Sequence, residues 1–326
     1  MIELAIIKVF PNSPTAIQDA VASANEGDVI LVHKGIYHEN VRIQSDKNNI
    51  RIVAKQKRRT VLDGRRVLLE AFILDGVAGV EIDGFKIKNY ILSGIRIMNG
   101  KSHRILENEI SEIRGIKGKV KPFGIIINQS VGNLLMRNKI KRIGSVKKGS
   151  GIQLSSSMGN WIVGNQLLNN SLCGIEVDLG FHNAIVGNRI SGNKSEGITI
   201  SESNNTLILE NMLNHNSKNG VFARSTNNFI IDSKIKDNHG NGLIFTLNNN
   251  MAFNNEIKNN HQSGIAILSD FNDIQCNKVE KNKNNGLFIH APHTANFVFE
   301  NRFKSNKPQN IKDQGTNNNI VQNNRD

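Results

Sequence analysis

Glycines at a nearly constant interval run through the second half of the chain, and each opens a short apolar segment. The eight segments start at Gly124, Gly151, Gly174, Gly197, Gly220, Gly242, Gly264 and Gly286, with spacings of 27, 23, 23, 23, 22, 22 and 22 residues. A fixed period in the low twenties, built from strand-forming residues, is typical of a solenoid with one coil per repeat. Residues one period apart are then neighbours, about 4.8 Å apart on adjacent strands.

Asparagines form three further columns at the same period. The first holds Asn133, Asn160, Asn183, Asn205, Asn228, Asn250, Asn272 and Asn296; the second Asn108, Asn138, Asn165, Asn188, Asn211, Asn255, Asn277 and Asn301; the third Asn170, Asn193, Asn216, Asn238, Asn260, Asn282 and Asn306. We expect these residues to adopt the left-handed conformation of sharp corners. Their amides should also stack into ladders.

Short apolar segments between these columns complete the repeat. Three strands separated by corners, with about 22–23 residues per coil, predict an all-β fold, a right-handed parallel β-helix. A leucine-rich repeat would need a Leu-x-x-Leu-x-Leu pattern and a helical half, and the sequence contains neither.

The predicted organisation is one structural domain with a cap and a tail. Residues 1–27 are the N-terminal cap, in which Ser13–Gly27 has the pattern of a short amphipathic helix. Residues 28–307 are the β-helix, and residues 308–326 are a C-terminal tail. The first ten residues carry Glu3 and Lys8, so they do not match a signal peptide. No apolar run approaches the ~18 residues of a membrane span. Cys173 and Cys276 fall in different columns, which predicts no disulfide.

Basic residues are concentrated in two overlong coils. The formal net charge is +13, and insertions at 114–121 and 141–148 precede successive glycine segments. Consecutive coils would place their cations side by side: Arg114, Lys117, Lys119, Lys121, Lys147 and Lys148. With Arg96, Asn128 and Gln153 on the neighbouring strand face, they are the predicted substrate-binding residues. The positive electrostatic potential of such a cluster attracts a polyanion. An acidic polysaccharide is favoured over nucleic acid because few aromatic residues are available to stack bases. The alternative is general solubilising charge.

One coil places two acids on the outward strand face. Positions two and four after each glycine point outward, which gives Glu176 and Asp178. Arg224 lies two coils further, roughly 10 Å away, and His182 follows at the next corner. These four residues are the predicted catalytic set. The two acids could hold Ca²⁺, or could divide acid and base roles. The alternatives are a solvated strand face and, for His182, a corner residue.

The same outward face becomes apolar further along the chain. This apolar stripe consists of Phe222, Ile244, Ala266, Leu268 and Phe288. Five such residues in adjacent coils are more than the single apolar residues that are normal on a protein surface. Two covers are equally consistent with it: the C-terminal tail, or a second subunit contacting Phe222, Ile244 and Phe288 in a homo-oligomer. Stacking of a sugar ring on Phe222 or Phe288 is a lesser alternative.

The N-terminal sequence resembles that of pectin-lyase-like β-helix proteins. The resemblance rests on Ala16–Val21, on Gly27–Val32 and on Gly35–Ile43, together with the Asn-rich repeats. It implies a secreted or cell-surface protein and a carbohydrate-active function. The Trp-x-Asp-His block of pectate lyases, the Asp-Pro-His-Glu of alginate epimerases, and the paired aspartates and Gly-His-Gly of polygalacturonases are absent.

These observations lead to two function hypotheses. The first is a protein acting on an acidic polysaccharide by lyase or epimerase chemistry, with glycoside hydrolysis less favoured. The second is a non-catalytic glycan-binding or surface-assembly protein.

Overall fold

Each repeat folds as three short parallel strands, one in each of three sheets. The computed structural model describes residues 4–44, 46–116, 120–145 and 148–324. The three sheets form a β-solenoid of about 13 turns, and one short helix lies near the N-terminus. All-β architecture, three strands per coil and the N-terminal helix are therefore confirmed. The chain divides into two compact units, Met1–Ser171 and Leu172–Asp326.

The first unit contains the helix and the first eighteen strands. They are β1 Ile6–Val9, α1 Ala16–Ser23, β2 Val29–Val32, β3 Gly35–Tyr37, β4 Val41–Gln44, β5 Arg51–Ala54, β6 Thr60–Asp63, β7 Glu70–Asp75, β8 Glu81–Asp83, β9 Lys86–Lys88, β10 Ser93–Met98, β11 Arg104–Leu106, β12 Glu109–Ser111, β13 Phe123–Asn128, β14 Leu134–Met136, β15 Lys139–Lys141, β16 Ser150–Ser155, β17 Trp161–Val163 and β18 Gln166–Leu168. Sheet I here is β4, β7, β10, β13 and β16; sheet II is β1, β2, β5, β8, β11, β14 and β17; sheet III is β3, β6, β9, β12, β15 and β18.

The second unit contains only strands within its described residues. They are β19 Ile175–Asp178, β20 Ala184–Val186, β21 Arg189–Ser191, β22 Ile198–Ser201, β23 Leu207–Leu209, β24 Met212–Asn214, β25 Val221–Arg224, β26 Phe229–Ile231, β27 Lys234–Lys236, β28 Leu243–Phe245, β29 Met251–Phe253, β30 Glu256–Lys258, β31 Ile265–Ile267, β32 Asp273–Gln275, β33 Lys278–Glu280, β34 Leu287–Ile289, β35 Phe297–Phe299, β36 Arg302–Lys304, β37 Ile311–Asp313 and β38 Asn319–Val321. Sheet I continues with β19, β22, β25, β28, β31, β34 and β37; sheet II with β20, β23, β26, β29, β32, β35 and β38; sheet III with β21, β24, β27, β30, β33 and β36.

Stacked asparagine amides hold the corners, as the sequence predicts. In the second unit Asn216 Nδ2 donates to Asn238 Oδ1, and Asn238 Nδ2 donates to Asn260 Oδ1, both at 3.0 Å. The backbone N–H of Asn216 also donates to Asn238 Oδ1, at 3.1 Å. These asparagines are almost fully buried. Each amide therefore satisfies backbone groups that a corner would otherwise leave unpaired inside the protein.

The predicted left-handed conformation of the ladder asparagines is wrong. The positive-φ residue is the one before each ladder asparagine, such as Asp237 (φ 57°) before Asn238 and Asn259 (φ 55°) before Asn260. Asn205, which the sequence placed in the first ladder, is the residue before the ladder position and has φ 56°. Thr206 occupies the ladder position, where its backbone N–H donates to Asn228 Oδ1. A ladder side chain must point inward toward the next coil, and the residue before it makes the turn.

The repeating glycines are required by close approach of successive coils. A Cβ on Gly220 would lie 2.7 Å from the carbonyl oxygen of Gly242 and 2.3 Å from a methyl group of Ile235. An added Cβ would lie 2.6–2.7 Å from the carbonyl oxygen of the next repeating glycine at five further positions: Gly124, Gly174, Gly197, Gly242 and Gly264. None of these glycines has positive φ, so their role is steric and not conformational.

Helix α1 docks onto the beginning of the solenoid. The buried carboxylate of Glu39 accepts hydrogen bonds from the backbone N–H groups of Ile17 and Gln18, at 3.1 and 2.9 Å. Ile17 and Val21 on the inner helix face are buried. Glu39 follows β3, so the helix start is fixed to the first coils by a side chain of the N-terminal motif. The described part of the chain contains no helix with the length and hydrophobicity of a membrane span.

His103 replaces asparagine in the first ladder and makes that coil acid-sensitive. Val80 N–H donates to His103 Nδ1 at 3.1 Å, and His103 N–H donates to Asn133 Oδ1 at 3.0 Å. The imidazole is fully buried. Burial lowers the pKa of His103 to about 4, against small opposing effects of backbone hydrogen bonds. The unfolded chain, with a pKa near ~6.5, therefore binds the proton first as pH falls.

We expect His103→Asn to remove part of the acid sensitivity of the protein. Neutral His103 contributes fully to the free energy of unfolding above the pKa that it has in the unfolded chain. This contribution is lost as pH falls from about 6.5 towards 4. Between pH 7 and pH 5 the loss is about 2 kcal/mol of unfolding free energy. Urea unfolding of both proteins at the two pH values measures the difference. Equal losses in the wild-type protein and the variant would contradict this account.

Candidate functional site

A cluster of basic side chains lies at the corner between sheets III and I of the first unit. We call it the basic corner and define it by Arg66, Arg96, Arg114 and Lys121, with the surrounding Glu70, Tyr90, Ser93 and Phe123. These residues come from successive coils and line two neighbouring cavities. The consecutive residues Tyr90–Ile91 and Leu92–Ser93 connect the two cavities along the chain.

A shared carboxylate draws the two inserted loops together. Glu112 accepts a hydrogen bond from Arg114 Nη2 at 2.7 Å, and Arg142 Nε of the next coil donates to its other oxygen. Burial of Glu112 acts to raise its pKa, but the two arginines outweigh this and hold the pKa below its usual value. Gly144 N–H also donates to the carbonyl of Ile113. The insertions of consecutive coils therefore meet at the basic corner.

The larger cavity of the basic corner has a volume of about 350 Å³. It is lined by Arg66, Tyr90, Ile91, Arg114, Gly115, Ile116 and Ser145. Arg66 and Arg114 are exposed. Tyr90 is buried, and its hydroxyl donates to the carbonyl of Glu39 at 2.7 Å. Burial raises its pKa, so the phenol stays neutral and the cavity has an apolar wall between two guanidinium groups.

The smaller cavity, about 170 Å³, is lined by a partly buried ion pair. Arg96 Nη1 lies 3.1 Å from Glu70 Oε1, and Ser93 Oγ donates to the same oxygen at 3.0 Å. The Glu70 side chain is 8% exposed and the Arg96 side chain 33%. Among the described residues, no group accepts a hydrogen bond from the buried Nε of Arg96. A buried donor without a partner is costly.

Lys121 and Phe123 form the opposite wall of the smaller cavity. Lys121 Nζ lies 5.3 Å from the centroid of the Phe123 ring, within the range of a cation–π contact. Phe123 is half-buried beside Ser93, its register neighbour in β10. The smaller cavity therefore combines an aromatic ring with two cations, Arg96 and Lys121.

The remaining predicted binding residues follow the register that the repeat implies. Arg96, Ile126 and Gln153 lie in one outward column of sheet I, and Asn128 lies beside Met98 and Ser155 in the other. Lys148 is exposed. Lys117, Lys119 and Lys147 lie outside the described residues.

The predicted catalytic residues all lie in the second unit. Glu176 and Asp178 are half-buried, outward positions of β19, beside Thr199 and Ser201 of β22. Arg224 is exposed and is the register neighbour of Ser201.

His182 is a corner residue with φ 52°, and its Nε2 lies 3.2 Å from Asn205 Nδ2. His182 thus lies at a corner beside Asn205, and its part in catalysis stays a prediction. Within the described ranges, no group of three or more His, Cys, Asp or Glu side chains has metal-site geometry.

A buried thiol and a carboxylate lie next to Glu176. Cys173 Sγ is 3.7 Å from Glu196 Oε2 and 3.6 Å from Thr199 Oγ1. Burial raises the pKa of Cys173 to about 12, and the charge of Glu176 adds to this effect. The thiol is therefore protonated at neutral pH and is not a nucleophile. Cys173 and Cys276 do not form a disulfide.

The apolar stripe on sheet I lies in the second unit, where Phe222, Ile244, Leu268 and Phe288 are half-buried and Ala266 is buried. Phe222, Ile244, Ala266 and Phe288 are register neighbours, as predicted. Strand β37 extends sheet I within residues 308–324 and does not fold back over the stripe. Strand β37 contacts the stripe through Lys312, whose Nζ lies 4.8 Å from the centroid of the Phe288 ring.

Sequence reasoning missed four members of the basic corner: Arg66, Glu70, Tyr90 and Ser93. They belong to coils before residue 94, where the glycine and asparagine columns are irregular. An alignment of Glu70–Asp75 with Ser93–Met98 as equal six-residue strands would have placed Glu70 beside Ser93 and three residues before the Arg96 column.

The sequence matches a protein family over most of its length. The family model described as "Right handed beta helix region" matches residues 35–211 and 180–326. The chain therefore belongs to this family, and the predicted handedness agrees with it. Among curated proteins, no sequence match is found.

Several solved structures share the fold. The A-module of the mannuronan C-5 epimerase AlgE6 from Azotobacter vinelandii superposes with a TM-score of 0.77 at 13% identity, over 95% of this chain and 94% of that chain. DFA-IIIase from Arthrobacter chlorophenolicus A6, without its lid, gives 0.71 at 13% identity, over 97% and 98%. The periplasmic alginate epimerase AlgG gives 0.66 at 15% identity, over 97% and 83%. At these identities the likeness establishes the fold alone.

Proposed function

We propose that this chain is a carbohydrate-active β-helix protein that binds an acidic polysaccharide at the basic corner. The observation that carries the proposal is the pair of adjoining cavities, the smaller lined by Arg96 and Lys121 and the larger by Arg66 and Arg114. A uronate carboxylate in the smaller cavity would pair with the two cations, and charged hydrogen bonds of this kind are strong. Arg66 and Arg114 in the adjoining cavity would hold the next anionic groups of the polymer.

Two of the structural neighbours support this choice of ligand. AlgE6 is a mannuronan C-5 epimerase and AlgG is an alginate epimerase, and mannuronan and alginate are acidic polysaccharides. We propose secretion or the cell surface as the location, because such polymers lie outside the cytoplasm.

For chemistry, we propose lyase or epimerase action with Glu176, Asp178, His182 and Arg224 as the candidate residues. A base among the first three would remove the proton at C5 of a uronate, and Arg224 would neutralise its carboxylate. Ca²⁺ held by Glu176 and Asp178 is an alternative source of that neutralisation.

A second candidate function is binding without catalysis. The Glu70 carboxylate at the basic corner is held by both Ser93 and Arg96, so it is not placed as a free base.

The binding proposal is tested with a charge-matched pair of double variants. Arg66→Ala with Arg114→Ala should weaken binding to a polyuronate such as polymannuronate about tenfold, since two partly screened ion pairs are lost. The control is Arg58→Ala with Arg137→Ala. Arg58 and Arg137 are exposed in the same unit, and their φ values, 64° and 55°, resemble the 61° of Arg66.

Titration calorimetry at two salt concentrations separates the outcomes. Weaker binding for the first variant only, with a smaller salt dependence, supports the proposal. Equal weakening in both variants would reduce the effect to net charge and refute the basic corner as a site. NMR of the incubated polymer distinguishes the two functions: unsaturated ends or inverted residues indicate catalysis, and Asp178→Asn should then abolish them.

A further inference from the structure

The carboxylate of Glu70 is held in a fixed position on the wall of the smaller cavity of the basic corner. The backbone carbonyl of Glu70 accepts a hydrogen bond from Asn40 Nδ2 of the preceding coil. Its side-chain Oε1 accepts from Ser93 Oγ and Arg96 Nη1, at 3.0 and 3.1 Å. Glu70 and Ser93 are also register neighbours on β7 and β10. Contacts from both neighbouring coils therefore orient this carboxylate before a ligand binds.

The second carboxylate oxygen of Glu70, Oε2, is the one that remains for a ligand. Within the described ranges it accepts no hydrogen bond, and it is not sealed from solvent. The Glu70 side chain is 8% exposed and lines the cavity of about 170 Å³. An ionised carboxylate is an acceptor of hydrogen bonds and never a donor. Oε2 therefore matches a hydroxyl group of a ligand and repels an anionic group.

The charges around the smaller cavity match one anionic group and not several. Arg96 and Lys121 supply two cations and Glu70 supplies one carboxylate, which leaves one net positive charge in the cavity lining. The larger cavity has Arg66 and Arg114 in its lining and no acid. A second anion in the smaller cavity would lie beside Glu70, where two like charges repel. Binding sites often obtain their specificity from such a repulsive group as well as from attractive ones.

We propose that Glu70 is the specificity-determining residue of the basic corner. Its Oε2 accepts a hydrogen bond from a sugar hydroxyl group, and its charge disfavours densely charged polyanions that lack hydroxyl groups. The preferred ligand is then a polymer with one carboxylate and free hydroxyl groups on each sugar. This inference rests on the proposed polysaccharide site. It adds the choice among polyanions, which the attraction of a basic cluster does not make by itself.

Titration calorimetry with two carboxylate polymers tests the role of Glu70. Polymannuronate has a carboxylate and free hydroxyl groups on each sugar, whereas polyacrylate has carboxylates alone. In Glu70→Gln, the amide oxygen can keep the bonds from Ser93 and Arg96, while an NH₂ group replaces Oε2 and the charge is lost. We expect the ratio of the polymannuronate affinity to the polyacrylate affinity to fall about tenfold, the effect of one hydrogen bond to a charged group. Differences in polymer stiffness cancel, because the ratio is compared between wild type and variant.

Glu81→Gln is the matched control. Glu81 belongs to the same unit, its side chain is 7% exposed, and it pairs with Arg51 and Arg104 on sheet II. Its substitution changes the net charge of the protein by the same amount as Glu70→Gln. We expect it to leave the affinity ratio of the two polymers unchanged. Circular dichroism melting verifies that each variant is folded.

A measurement on the wild-type protein tests the same inference without a variant. Acetylation of polymannuronate blocks its hydroxyl groups and keeps its carboxylates. The acetylated polymer should bind the wild-type protein about tenfold more weakly. Equal binding of the two polymers would refute the hydrogen bond to Glu70.

Failure of this inference is distinguishable from failure of the polysaccharide site. If Arg66→Ala with Arg114→Ala leaves polymannuronate binding unchanged, the basic corner is not the site and both proposals are refuted. If that double variant weakens binding but Glu70→Gln changes the affinities for both polymers by the same factor, the site stands and only the role of Glu70 is refuted. An equal fall of the ratio in Glu81→Gln would likewise reduce the effect to net charge.

Discussion

Asn238→Ala is expected to lower the free energy of unfolding by about 3–5 kcal/mol, a large part of the stability of a typical domain. Asn238 Oδ1 accepts from both the backbone N–H and the side chain of Asn216, and its Nδ2 donates to Asn260 Oδ1 and to the carbonyl of Leu213. Alanine removes these bonds and leaves buried donors of Asn216 without their acceptor. The cost exceeds one average hydrogen bond because stranded buried groups are penalised in full.

The matched control for the ladder is Lys234→Ala in the same coil. Lys234 is exposed on β27, and surface changes of this kind usually alter stability by less than about 0.5 kcal/mol. Urea unfolding followed by circular dichroism measures both variants. A loss below about 1 kcal/mol for Asn238→Ala would show that water replaces the ladder without penalty, and would contradict its proposed role.

Gly220→Ala is expected to destabilise the protein by about 3 kcal/mol through overpacking. The added methyl group would lie 2.7 Å from the backbone carbonyl of Gly242 and 2.3 Å from Ile235. The carbonyl is fixed in a sheet and cannot rotate away as a flexible side chain can. Relief therefore requires adjacent coils to separate, which weakens sheet I hydrogen bonds and core contacts together.

Gly187→Asn is the control that separates steric from conformational need for glycine. Gly187 has φ 63°, and a Cβ there would meet no atom within 4 Å. Asparagine tolerates this left-handed conformation, so we expect a change of at most about 0.5 kcal/mol. Thermal and urea unfolding of the two variants should differ strongly. Similar losses at Gly187 and Gly220 would show that close approach between coils is not the reason for the glycine column.

The repeat determined most of the architecture because a solenoid converts sequence period into spatial neighbourhood. The glycine spacing identified the strands of sheet I and their register, including the outward positions of Glu176, Asp178 and Gln153. The asparagine columns identified the ladders for the same reason: residues one period apart have to meet. Both inferences used only equal spacing, which the chain displays directly.

The basic corner depended on tertiary structure because its early coils break the period. Glu70, Ser93 and Arg96 meet only after strands β7 and β10 are aligned, and the spacing from glycine to glycine gives no register before residue 94. The choice of which residue takes the left-handed turn was likewise decided by geometry, since the ladder side chain must reach the next coil.

The strands of sheet II show the same limit most clearly. Leu207-Ile208-Leu209 is apolar throughout, so its sequence has no alternation from which an inner and an outer side could be read. Only the folded coil turns Ile208 into the core and leaves the two leucines outward. The sequence alone determined the coil, its period and its ladders, because these depend on spacing. The faces and the cavities were decided by the three-dimensional path of the backbone, because they depend on the direction of each side chain.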